Sequence, residues 1–329
     1  MSIWRIGVLA GMATAWGQSL PPAATIQVPV RLVTAPTLVF SADDRLVFGL
    51  QSSDFQVFDN GVVQRARVEN ELPRLSIVVA VQANQAVRSY AKFIARVGSA
   101  VDALLVGERG EAAVLQYADE VKVLKPFDGA GDVEGTLRQL ADGGRLARAV
   151  DAGMRAVALL RERPARRSRV LIFIGQPEDK GSESGLAELR AEAERHNIAV
   201  FALALPMAGK DFVSDTFSLE GLSSRTDRGG FKAGVDLGRL APVLRRSAAA
   251  ADGTDPFSVL TAATGGTQFH FRAQRELEDG IAMIGVELRS SYTVSYSPTP
   301  GVPGYHTIRV DVGLPGAKVF SRPGYWLPR

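Results

Sequence analysis

Leu75-Ser76-Ile77-Val78-Val79-Ala80-Val81 is an almost unbroken apolar run. A strand with one wet face alternates polar and apolar residues. One covered on both faces has no polar side to show, so this run reads as a central strand of a sheet between layers of helices. Downstream, Val87, Tyr90, Ile94, Val97, Val101 and Leu104 recur at the three-and-four spacing of a helix with one buried stripe. The pattern then repeats. Glu111–Tyr117 and Val121–Leu124 read as short strands joined near Asp119-Glu120, and Leu146, Val150, Met154, Val157 and Leu160 as a helix. Val170–Ile174 is a second fully buried strand, Leu186 and Leu189 mark a helix, and Ile198–Leu205 is a third buried strand. Strands separated by helices of this length imply right-handed crossovers, hence an α/β fold with a doubly wound, mainly parallel sheet.

Both ends of the chain depart from this pattern. Ile26, Val28, Val30 and Leu32 alternate as in a half-buried strand, and Asp54–Phe58 alternates again before Asp59-Asn60-Gly61. Asn and Gly accept positive φ cheaply, so the expectation there is a hairpin into a strand over Val62–Val68. Residues 206–256 are glycine-rich and evenly charged, without sustained periodicity, and are expected to be a long mobile insertion with room for one helix over Asp236–Ala250. Pro256–Ala263 then reads as a helix stopped by Gly265-Gly266, Thr267–Phe271 as a short strand, and Leu277, Ile281, Ile284 and Leu288 as the last helical stripe. Tyr292–Tyr296 and Thr307–Val312 read as strands around a turn at Pro298–Gly304. An isolated hairpin is barely stable, so the N- and C-terminal strands are expected to share a small β-sandwich. The expected organisation is residues 1–17 signal peptide, 18–25 linker, 26–71 N-terminal β module, 72–290 α/β domain and 291–329 strands completing the β module.

The 329 residues carry 38 basic and 35 acidic side chains, a net charge of +3, so no broad cationic field recruits nucleic acid or an anionic membrane. Arg5 followed by the apolar stretch Ile6–Trp16 and the small-x-small sequence Ala15-Trp16-Gly17 reads as a secretory signal cleaved near Gln18. The stretch is too short to span a bilayer, which takes roughly 20 residues, and no integral membrane segment is expected after cleavage. The chain has no cysteine, which removes disulfides, thiolate catalysis and cysteine-ligated metals. The expected location is periplasmic or extracellular.

Several strings resemble the von Willebrand factor A-like (vWA) domains, in particular the VWFA-related group named for acidobacteria. They are Asp54-Phe55-Gln56-Val57-Phe58-Asp59-Asn60-Gly61, Gly110-Glu111-Ala112-Ala113-Val114, Thr264-Gly265-Gly266 and Arg322-Pro323-Gly324-Tyr325-Trp326. The resemblance implies a Rossmann-like fold with Mg²⁺ at the carboxyl ends of the parallel strands. The ion would be held by an Asp-x-Ser-x-Ser run after the first strand, a Thr before a later helix and an Asp after the central strand. Here the first run is Gln82-Ala83-Asn84-Gln85-Ala86, the Thr falls at Gly143-Gly144-Arg145, and the second Asp falls on Gln176. Hard divalent cations need oxygen ligands with carboxylates to offset charge, so the resemblance implies a degenerate metal site and no cofactor. Three readings of Gln82, Asn84, Gln85, Arg145, Gln176, Glu178 and Asp179 stay open. They solvate loop ends, they form a metal-free recognition face, or Glu178, Asp179 or Asp119 build an unconventional metal site.

Catalytic machinery is sparse. Of the three histidines, His196 sits at a helix end, where a cation suits the dipole, while His270 and His306 fall on separate strands. Gly181-Ser182-Glu183-Ser184-Gly185 puts glutamate where a nucleophile elbow needs serine. Arg161, Arg163, Arg166, Arg167 and Arg169 form one basic cluster, read as a solvated linker rather than a nucleic-acid patch. The expectation is an exported, non-catalytic vWA-like protein that binds a protein partner without metal. A structural component of an envelope or surface assembly and an unrecognised hydrolase are the alternatives.

Overall fold

In the computed structural model, β5 (Leu75–Gln82) lies at the heart of a six-stranded sheet, and all eight of its residues are buried. The structure describes residues 32–69, 74–127, 132–164, 166–207, 255–270, 274–299 and 301–327. The expected signal peptide, the linker and the strand over residues 26–31 lie outside these, as does nearly all of the expected insertion at 206–256.

The other strands of this sheet are β6 (Glu111–Tyr117), β7 (Val121–Lys125), β8 (Ser168–Gly175), β9 (Ile198–Ala204) and β10 (Gln268–His270), in the order β10-β9-β8-β5-β6-β7. The pairs β10–β9, β9–β8, β8–β5 and β5–β6 are parallel. Only the edge strand β7 is antiparallel, returning from β6 through the turn at Asp119-Glu120. The three apolar runs are therefore adjacent, parallel and central, as their lack of a polar side requires. Successive side chains feed opposite faces. Ile77, Val79, Val81, Val170 and Ile172 pack against α1 (Ala91–Val101), α2 (Val133–Leu137) and α6 (Gln274–Ser290). Val78, Ala80, Leu171 and Phe173 pack against α3 (Ala149–Arg161), α4 (Leu186–Arg195) and α5 (Pro256–Thr264). The sheet is doubly wound.

The terminal strands build the expected β-sandwich. One sheet runs β13-β1-β11-β4 and the other β14-β12-β2-β3, where β1 is Val33–Phe40, β2 Phe55–Asp59, β3 Val62–Gln64 and β4 Ala66–Glu69. The C-terminal partners are β11 (Tyr292–Tyr296), β12 (Gly304–Val312), β13 (Lys318–Ser321) and β14 (Gly324–Leu327). Val33, Ala35, Val57, Val294, Val310 and Leu327 share the core between the two sheets. Leu38 and Phe40, on the other side of β1, join the α/β core instead, so the sandwich and the α/β layers are continuous within one compact unit, Leu32–Arg329.

Two sequence expectations fail here for one reason. Val62–Val68 is not a single strand. It breaks at Arg65, so β3 stays with β2 while β4 crosses to pair with β11 in the opposite sheet. Likewise β11 and β12 do not pair across Pro298–Gly304; they lie in opposite sheets. In a sandwich each edge needs a distant partner, and corner-turning segments supply it.

Candidate functional site

The chain leaves β5 toward β6 on one side and later toward β8 on the other, so the sheet's topological switch point lies at the carboxyl ends of β5 and β8. Open α/β sheets place ligands there. Gln82 ends β5 and Gln176 follows β8, and the structure brings them together. Gln82 Oε1 accepts a hydrogen bond from the Gln176 backbone N–H at 2.6 Å, and Gln82 Nε2 donates to Asn84 Oδ1 at 3.0 Å. Asn84 Nδ2 donates to the Leu146 carbonyl at 3.0 Å, and its Oδ1 also accepts from Ala86 N–H. Gln176 Nε2 donates to the carbonyl of Pro206 at 3.0 Å. All three amides are buried.

The loop at Gly143-Gly144-Arg145 is stitched onto this network. Gly143 N–H donates to the Ala83 carbonyl, and Gln85 N–H donates to the Gly144 carbonyl. Only glycine fits: a Cβ on Gly143 would stand 2.4 Å from the Ala118 Cβ, and Gly144 has φ +111 with a Cβ position 2.1 Å from Asp119 Oδ2. Asp119 Oδ1 accepts from the amides of Leu146 (2.7 Å) and Arg145 (2.8 Å), and these bonds hold its carboxyl below the usual carboxylate range. The Gln85 and Arg145 side chains are exposed at the rim.

The acidic residues serve separate tasks. Asp179 Oδ1 accepts from Val150 N–H at the start of α3 and from Ser182 Oγ. Glu178 pairs with Lys180 at 2.8 Å. Among the described residues no group of three or more His, Asp or Glu side chains could hold a metal. The divalent ion that the resemblance implies does not fit these amides: the oxygens of Gln82 and Asn84 already accept N–H donors, and neutral amides cannot offset a divalent charge. The geometry narrows the readings left open by sequence: Gln82, Asn84 and Gln176 are buried and direct their hydrogen bonds to neighbouring chain segments, so any recognition face there is presented by the residues around them. Of the seven candidate residues, Gln85 and Arg145 are the exposed ones.

Sequence reasoning passed over Gln116 and Tyr117. Gln116 Nε2 donates to the Ala141 carbonyl at 2.9 Å and extends the amide network across β6. Tyr117 pairs in register with Gln82, and its hydroxyl is buried against the Gly175 backbone. A polar residue ending each of two neighbouring buried strands was the available signal.

Elsewhere, Arg163, Arg167 and Arg169 of the arginine cluster are not solvated linker charges, while Arg161 and Arg166 stay exposed. Arg163 and Arg167 both pair with Glu111, at 2.9 and 3.1 Å, and Arg167 also donates to Ser76 Oγ and the Leu75 carbonyl. Arg169 donates to the carbonyls of His196 and Arg163. The cluster ties down the amino-terminal end of the sheet. His196 caps the end of α4 as expected, and burial and the nearby Arg169 push its pKa down. His306 is buried in the sandwich, its Nδ1 against Asp59 and its Nε2 against the Val302 carbonyl.

No protein-family model and no curated protein matches the sequence. Solved structures with similar folds include the conserved hypothetical protein BatB of Bacteroides thetaiotaomicron, 12% identical, with a TM-score of 0.38 over 64% of this chain and 98% of that one. The von Willebrand factor type A protein of Catenulispora acidiphila is 11% identical, with a TM-score of 0.45 over 92% of this chain and 64% of that one. Proximal thread matrix protein 1 of the mussel byssus is 10% identical, with a TM-score of 0.46 over 71% of this chain and 51% of that one. The chain spans less than two thirds of the length of the latter two.

Proposed function

We propose that the chain is an exported, non-catalytic vWA-like protein of adhesive or scaffolding type, which binds a protein partner at the switch-point end of its sheet without a metal ion. The observation that carries this reading is the amide network. At the position where the fold offers a ligand site, Gln82, Asn84 and Gln176 lock strand ends and loops together and supply neutral amides where a divalent cation needs carboxylates. Exposed Gln85 and Arg145 remain as contact groups at the rim, and a guanidinium suits an acidic side chain. The His306–Asp59 pair lies buried in the sandwich core. Export is inferred from the charged, apolar and small-x-small sequence of Met1–Gly17.

Crosslinking through a photoreactive residue at position 85, in the native periplasmic and secreted fractions, tests the reading. A specific crosslinked protein whose binding Arg145→Ala weakens and EDTA leaves unchanged is the expected result. Fractionation of the protein with envelope material, and no crosslinked species, would instead favour a structural component.

A further inference from the structure

The turn between β11 and β12 carries the chain from one sheet of the sandwich to the other, and side chains of the second sheet hold it at two points. Gln64 exchanges a pair of hydrogen bonds with the Thr299 backbone, each 2.9 Å. His306, buried on β12, holds the other point, with its Nε2 2.5 Å from the Val302 carbonyl oxygen. Residues 301–303 themselves are exposed. On the opposite side of the imidazole, Nδ1 lies 2.5 Å from Asp59 Oδ1. Asp59 Oδ2 accepts from the hydroxyls of Tyr296 at 3.0 Å and Tyr325 at 2.6 Å, so this carboxylate is an acceptor on both oxygens.

A carbonyl oxygen can only accept, so both ring nitrogens of His306 face acceptors. Only the doubly protonated imidazolium has an N–H for each. A neutral ring has one, and its bare nitrogen would set a lone pair against an oxygen. Asp59 balances the ring's charge from β2. Tyr325 on β14 packs its ring 5.0 Å from the imidazole, and Tyr296 reaches Asp59 from β11. Arg322, whose charge acts on both tyrosines, is held by the carbonyls of Gly324 and Glu194 and by Asn197. Burial alone would lower the pKa of His306, but the Val302 and Asp59 bonds outweigh it and hold it above the ordinary 6.5. We infer that His306 is a proton-operated latch on this turn: it pins the Val302 carbonyl while both ring nitrogens carry hydrogen, and frees residues 301–303 when the Nε2 proton leaves to solvent. The latch is therefore closed below pH 6.5 and opens as pH rises through the higher folded-state value, and the stability it contributes is lost over the same interval.

An NMR titration of the full chain tests this. The ring nitrogens of His306 report its protonation, and the backbone order parameters of Gly301 and Val302 report the turn. His306 should lose its proton with a midpoint above 6.5, and at that same midpoint the order parameters should fall from about 0.85 to about 0.6 or below. Asp59→Asn removes the anion that retains the proton, so both midpoints should move down together by about one pH unit or more. His306→Phe keeps a buried ring without an N–H, and its turn should be mobile at every pH. A His306 midpoint at or below 6.5 overturns the inference, as does a turn whose order does not follow the ring's proton. Unmoved midpoints in Asp59→Asn, or a turn in His306→Phe as ordered as the parent's acid form, overturn it too. The parent titration decides by itself if either variant fails to fold.

Discussion

Replacing Glu287 by glutamine removes a proton-binding group from the junction between the sandwich and the α/β layers. Glu287 lies near the end of α6, buried, beside a cavity of about 100 Å³ also lined by Pro36, Leu38, Phe201 and Phe320. Its Oε2 accepts from Thr267 Oγ1 at 3.0 Å. Burial pushes its pKa from 4.5 up to about 8, and the Thr267 bond only partly opposes this. A folded-state value above the unfolded one means that the folded protein holds a proton the unfolded chain has released. That stability is fully present below about pH 4.5, is lost as pH rises from there to about 8, and changes no further above. At roughly 1.4 kcal/mol per tenfold change in proton affinity, the full span is on the order of 5 kcal/mol, an upper value because water in the cavity softens the desolvation. Glutamine keeps an acceptor for Thr267 and cannot ionise. Parent and Glu287→Gln should therefore have similar stability near pH 4.5, with the variant ahead by about 2–5 kcal/mol at pH 8.5. Urea unfolding at pH 4.5, 7 and 8.5 gives the difference directly and cancels every other titrating group. Parallel stability profiles across this range would show that Glu287 is ionised in the folded protein and would refute the argument.

Three further outcomes are expected. Gly266→Ala places a Cβ 2.1 Å from the Val200 carbonyl oxygen, a backbone atom that cannot step aside, so thermal unfolding should show a loss of about 3 kcal/mol or more. Deleting residues 292–329 takes away both β11 and β13, the two neighbours of β1, so amide protection over Val33–Phe40 should collapse; protection equal to the parent's would contradict the shared sandwich. Millimolar Mg²⁺, Mn²⁺ or Ca²⁺ should leave the melting temperature unchanged relative to EDTA. A saturable rise abolished by Gln176→Ala would mean that the amide network does bind a cation.

The α/β framework is legible in the sequence because its signal is local. Ile77–Val81, Val170–Ile174 and Ile198–Leu203 lack a polar side over a few residues each, and that alone demands two covered faces. The helical stripes between them are equally local, and so is the left-handed turn at Gly265, φ +79, that ends α5. The sequence likewise showed Gln82, Asn84 and Gln176 where the vWA resemblance expects Asp and Ser. Tertiary structure alone decided what those amides do, because an amide has both donor and acceptor and its partners here are carbonyls and N–H groups of other segments. It also decided that Val62–Val68 divides between two sheets, since the partner of β4 is β11, more than 200 residues along the chain, and no local period encodes that choice. Arg167 read as a solvated charge until folding set it against Glu111 and Ser76, and only folding buried Glu287 on α6. Periodicity reports which face of an element is covered; what covers it, and which polar groups are trapped beneath, is settled only when distant segments meet.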